Sequence, residues 1–133
     1  MEPRPGDKVW IVPSPGVDPH LAIVIQLSSD KKRALVLSGT GTGPRDIPHV
    51  VVDPERRANK ALKLSKKTYF YRDALHVRPV DELKCRETPA LRCPLVLWGQ
   101  LKVLAMEGAR AKFSTREFHE WWPELSVEPT SEK

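Results

Sequence analysis

Between Arg56 and Arg72 lie seven basic residues (Arg56, Arg57, Lys60, Lys63, Lys66, Lys67 and Arg72) and no acid. Side chains of this type at this density attract polyanions and gain free energy as the polyanion's counterions are released. Thr68 and then three aromatics, Tyr69, Phe70 and Tyr71, follow Lys66 and Lys67 directly. Flat rings beside cations suit a single nucleic-acid strand, whose bases stack while its phosphates are neutralised. Alternation along a strand sends Phe70 to the face opposite Tyr69 and Tyr71, so Phe70 is expected in the core. The competing reading of the stretch is a solvated, charged surface.

Groups able to move protons are sparse. The histidines are His20, His49, His76 and His119. His20 opens the longest apolar run and His76 lies on the last strand expected, so each could reach a pocket at a barrel mouth. Imidazole titrates near neutral pH, as general acid–base work requires. A hydrogen-bonded edge histidine is the alternative for both. Arg72-Asp73 reads as a turn between two strands. An arginine there could hold a phosphate and stabilise charge on an attacked phosphodiester, and the aspartate could orient it. An ion pair of little energetic weight is the alternative. Cys85 and Cys93 have seven residues between them and no histidine at zinc-ligand spacing, so no metal or cofactor is expected and both thiols are read as free. The loop Ser38 to Asp46 holds Gly39, Gly41 and Gly43 but lacks a Gly-Lys-Ser/Thr ending, which makes it a connection rather than a phosphate cradle.

The elements that must position these groups follow from patterning. The chain has 133 residues, 40% hydrophobic and 29% charged, enough apolar side chain for one core. No apolar run approaches the length of a membrane span, and Met1 to Pro5 lacks a secretory leader, so a cytoplasmic location without membrane attachment is expected. The net charge of +5 comes wholly from the basic stretch, because the rest of the chain carries 15 basic against 17 acidic residues. Strands are predicted over Lys8 to Val12, Leu21 to Leu27, Arg33 to Ser38, Pro48 to Val52, Thr68 to Tyr71 and Leu75 to Val80. The pair 21–27 and 33–38 reads as a hairpin buried on both faces. A helix is predicted from Pro94 to Glu107, with Leu97, Leu101 and Leu104 on one side and Gly108 as terminator. Ser114 to Glu117 has the spacing of a capping box, and Phe113 and Phe118 that of a hydrophobic staple. The fold class expected is mainly β: a small SH3-like barrel of five to six short strands over residues 1–84, a helical extension over 85–122 packed on it, and a flexible tail over 123–133.

The opening Pro5-Gly6-Asp7-Lys8-Val9-Trp10-Ile11-Val12, the buried hairpin and the late block from Thr68-Tyr69-Phe70-Tyr71 to Val80-Asp81-Glu82-Leu83 together resemble the MazF/PemK-like toxins, of the CcdB/Kid/MazF type. The likeness spans roughly residues 5 to 84. It implies an SH3-like barrel, commonly dimeric, that cuts single-stranded RNA without metal as part of a toxin–antitoxin system. Where typical members carry arginine followed by proline before the second strand, this chain has Pro19-His20-Leu21, and Arg72-Asp73-Ala74 stands near the family's Cys-Asp-Gln element. On this reading His20, Arg72 and Asp73 are the catalytic candidates. Arg72 or Arg33 clamps phosphate, and His20 and Asp73 share proton transfer. Arg33, Lys66, Lys67, Thr68, Tyr69 and Tyr71 bind RNA, and the partners are single-stranded RNA, an antitoxin protein and a second copy of the chain. The alternative is a non-catalytic module that holds nucleic acid or protein on the same scaffold.

Overall fold

The two longest apolar runs pair with each other at the centre of a five-stranded antiparallel sheet. A computed structural model describes residues 2–125; the end of the expected tail, 126–133, lies outside the described residues. The strands are β1 (Lys8–Ile11), β2 (His20–Leu27), β3 (Arg33–Thr40), β4 (His49–Val52) and β5 (Thr68–Pro79), in the order β1-β2-β3-β5-β4. Among the described residues two α-helices follow, α1 (Leu95–Lys112) and α2 (Thr115–Trp121). The architecture is thus a small mixed α/β one, an antiparallel sheet with helices. The strands do not close into a barrel, since β1 and β4 remain the two ends of the sheet.

Near-continuous apolar sequence in β2 and β3 reflects burial on both faces. Ile23, Ile25, Leu35 and Leu37 share a core with Phe70, Leu75, the buried side of α1 and Phe118, Trp121 and Trp122. Ala22, Val24, Ala34 and Val36 meet Val9 and Ile11 in a second cluster. The outer edge of β1 is covered as the chain returns after a 3₁₀ turn at Val80–Glu82. Trp10 N–H donates to Lys84 O at 2.8 Å and Lys84 N–H to Trp10 O at 3.0 Å. Further along, Lys8 N–H donates to Leu91 O, and Arg92 Nη1 donates to the buried Asp7 Oδ1 at 2.6 Å.

Two expectations are corrected. The predicted turn at Arg72-Asp73 is a bulge within one continuous strand: Leu75 pairs with Leu37 and Phe70 with Gly39, so Ser38 faces the four residues between. No glycine or proline is present there to reverse the chain, and Arg72 N–H is taken up by Pro48 O at 2.9 Å. Gly108 does not end α1, which continues to Lys112. A Cβ at Gly108 would collide with the Arg72 carbonyl oxygen, so the glycine lets the helix lie directly on the bulge. The capping box of α2 is as predicted, with Ser114 Oγ accepting from Glu117 N–H at 3.1 Å and Glu117 Oε1 accepting from Ser114 N–H at 2.9 Å. Pro123–Leu125, read as the start of the tail, form a 3₁₀ turn, and Leu125 packs against the main core.

Candidate nucleic-acid interface

Antiparallel register brings distant sequence to one end of the sheet. Ala22 pairs with Ser38 and Thr40 with Tyr69, so the start of β2, the end of β3 and the start of β5 lie together. They wall a groove of about 640 Å³ with Lys8 and Trp10 of β1, the loop Gly41-Thr42, the segment Lys63 to Lys66, and Arg86-Glu87 of the return segment. His20 and Thr68 stand in this wall. Among the described residues Lys63, Lys66 and Arg86 are exposed and form no ion pair. Lys8 is buried, and its Nζ donates to Leu62 O at 2.9 Å and lies 3.5 Å from Glu87 Oε2, which neutralises the acid of the groove. Three uncompensated cations therefore face one concavity.

Local geometry aims them. A Cβ at Gly41 would lie 2.5 Å from Lys66 Cε and 2.8 Å from its Nζ, so the glycine loop leaves room for the lysine stem to cross it. Lys63 ends the 3₁₀ helix Arg57–Leu62 with a left-handed φ of 50°. The Arg86 guanidinium lies 3.8 Å above the Trp10 ring, a cation–π contact that holds it over the groove.

Other expected site residues lie elsewhere. Arg33 is at the far end of β3, about 23 Å from Thr40 at strand rise, with its guanidinium 5.5 Å from the Trp121 ring. Lys67 lines a separate cleft with Arg56, Val96 and Gln100 of α1. Tyr71 is 1% exposed; its hydroxyl donates to Thr42 O at 3.2 Å and accepts from Arg45 N–H at 2.9 Å, so it anchors a loop and offers no face to a base. Tyr69, half-buried, is stacked against it at 6.2 Å. Asp73 pairs with Arg45 at 3.2 Å, and neither residue lines the groove, nor does Arg72. His76 accepts or donates a 3.2 Å hydrogen bond between Nε2 and Ser38 Oγ. Burial, reinforced by Arg78, Lys112 and His20, pushes its pKa down from 6.5 to about 4, so it stays neutral at pH 7.

Sequence reasoning missed Lys8, Trp10, Arg86 and Glu87. The spacing of Lys8 and Trp10, two apart on one strand, does place both on one face. Nothing local marks Arg86-Glu87, which the Trp10–Lys84 and Asp7–Arg92 bridges on either side bring near. Among the described residues no group of three or more His, Cys, Asp or Glu is arranged to hold a metal, and no helix is long and apolar enough to cross a membrane. No protein-family model matches the chain, and no curated protein does either.

Proposed function

We propose that the groove binds single-stranded RNA and that the protein is a toxin-like RNA-binding domain of the MazF/PemK kind. The observation that carries this reading is the convergence of Lys63, Lys66 and Arg86 on a concavity whose one acid among the described residues, Glu87, is neutralised by Lys8. A sugar–phosphate strand laid there gains from counterion release at three cations. The return of residues 84–93 along the outer edge of β1 covers that edge and brings Arg86 and Glu87 to the groove. In the catalytic form the protein is a metal-independent endoribonuclease in which His20, in the groove wall, takes the proton of the 2′-hydroxyl as its oxygen attacks phosphorus, the P–O5′ bond breaks and the leaving 5′-oxygen takes a proton from water, while Lys63 and Lys66 hold the phosphate. An antitoxin and a second copy of the chain are the protein partners of this reading. Leu95, Val96 and Val103, exposed on α1, support such a contact.

A second reading, a non-catalytic RNA-binding module, is favoured by the position of Arg72 and Asp73 outside the groove. The test is incubation with a labelled single-stranded RNA in EDTA, read by anisotropy and by gel. Binding should weaken with a slope of log K against log salt of about −2 for three cations on a single strand. Cleavage abolished by His20→Ala supports the enzyme. Bound but intact RNA selects the module, and binding indifferent to salt refutes both.

A further inference from the structure

Two polar atoms of the groove have no hydrogen-bond partner among the described residues although both are buried: Trp10 Nε1 and Glu87 Oε1. Buried polar groups are nearly always paired, so each orphan calls for a ligand or a bound water. The two belong to one corner, because Lys8 Nζ lies 3.5 Å from Glu87 Oε2 and 5.7 Å from the centre of the Trp10 ring. Arg86 covers the indole at 3.8 Å, on the footprint a stacked base would take. It is exposed and has no ion pair among the described residues, so it can swing aside and keep its charge for a phosphate.

We infer that this corner recognises guanine. This rests on the RNA-binding reading and extends it to base choice. The donor and acceptor inventory decides the base. The indole offers one N–H donor, and the carboxylate offers acceptors only, with Oε1 free and Oε2 engaged by nothing shorter than the 3.5 Å ion pair. Guanine alone among the four bases carries two adjacent N–H donors, at N1 and N2, beside a carbonyl oxygen. The carboxylate can take both donors while the indole donates to O6. Adenine and cytosine would turn a ring-nitrogen lone pair toward the carboxylate, and uracil has a single N–H to give. The indole N–H lies in the ring plane and so meets the guanine at its edge, which leaves the Trp10 face, once vacated by Arg86, to a neighbouring base of the strand.

The test uses fluorescein-labelled uridine hexaribonucleotides with one central guanine, or adenine in its place, in EDTA at low salt, with GMP and AMP as free-nucleotide arms. The guanine oligomer should bind about tenfold tighter than the adenine one. Trp10→Phe, which keeps a ring and removes the N–H, and Glu87→Gln should each bring that ratio below about twofold. Lys66→Ala should weaken both oligomers alike and leave the ratio standing. Wild-type protein that binds both oligomers equally, or a folded Trp10→Phe protein with an undiminished ratio, overturns the guanine corner while leaving the RNA groove intact. GMP bound in preference to AMP with no oligomer bound keeps the corner as a free-nucleotide site and refutes the RNA reading. No binding in any arm refutes both.

Discussion

α1 carries two glycines that the structure treats in opposite ways, and exchanging each for alanine gives a sharp test of the packing described above. At Gly99 nothing lies within 4 Å of a built Cβ, whereas at Gly108 the Cβ would strike the Arg72 carbonyl oxygen. Gly→Ala inside a helix is otherwise stabilising by about 0.5–1 kcal/mol, because the unfolded glycine chain has more freedom to lose. Gly99→Ala should deliver that gain. Gly108→Ala has the same gain available, but its methyl meets backbone, which cannot rotate away as a side-chain tip can. Forcing the helix off the β5 bulge costs about 1–3 kcal/mol by the usual scale of overpacking, and more if the main core opens with it. The net is a loss of up to about 2.5 kcal/mol. For a domain of this size one kcal/mol moves Tm by about 3–5 °C. The two variants should therefore shift Tm in opposite directions in one calorimetric experiment. A rise in Tm for Gly108→Ala would show that α1 does not rest on the Arg72 carbonyl and that the seat assigned to the bulge is wrong.

Acid should destabilise the protein in part through His76. Its folded pKa is lowered to about 4, so as pH falls below 6.5 the unfolded chain takes up a proton that the folded one refuses. Stability is full above 6.5 and declines until about 4, by about 1–2 kcal/mol after allowance for the ring's partial exposure. Urea unfolding at pH 7.5 and 4.5 should show this drop in wild type and a smaller one in His76→Gln; equal drops would refute it. Lys66→Ala should weaken single-stranded RNA and reduce the magnitude of the salt slope by about 0.7, measured by anisotropy, because one phosphate contact disappears. Tyr71→Phe removes the hydroxyl that joins Thr42 O to Arg45 N–H and should cost about 1–2 kcal/mol, with faster proteolysis in the 42–45 loop; an unchanged melting curve would contradict that role.

Local signals were legible wherever the determinant is local. The capping box at Ser114 is a pair of hydrogen bonds within four residues, and the apolar side of α1 at Leu97, Leu101 and Leu104 follows from helical period. The buried hairpin of β2 and β3 announces itself by composition. Arg72-Asp73 was misread because two apolar runs with charges between them look alike whether the chain turns or bulges; a partner strand and α1 decide which. Gly108 was misread for a similar reason, since a glycine late in a helix serves either as a stop or as a place of close approach.

The candidate site divides along the same line. Sequence alone located the acid-free basic stretch and His20, since both are properties of residue type and order. It could not say that Lys63 and Lys66 line one groove with His20 while Lys67 lines a separate cleft with α1 and Arg33 sits at the opposite end of β3. Nor could it supply Arg86 and Glu87, which stand more than 60 residues from His20 and reach the groove through the backbone bridge between Lys84 and Trp10. Composition sets how much charge a chain carries. Strand register and the path of the returning chain set which charges share a concavity, and those depend on pairings between residues far apart in the sequence.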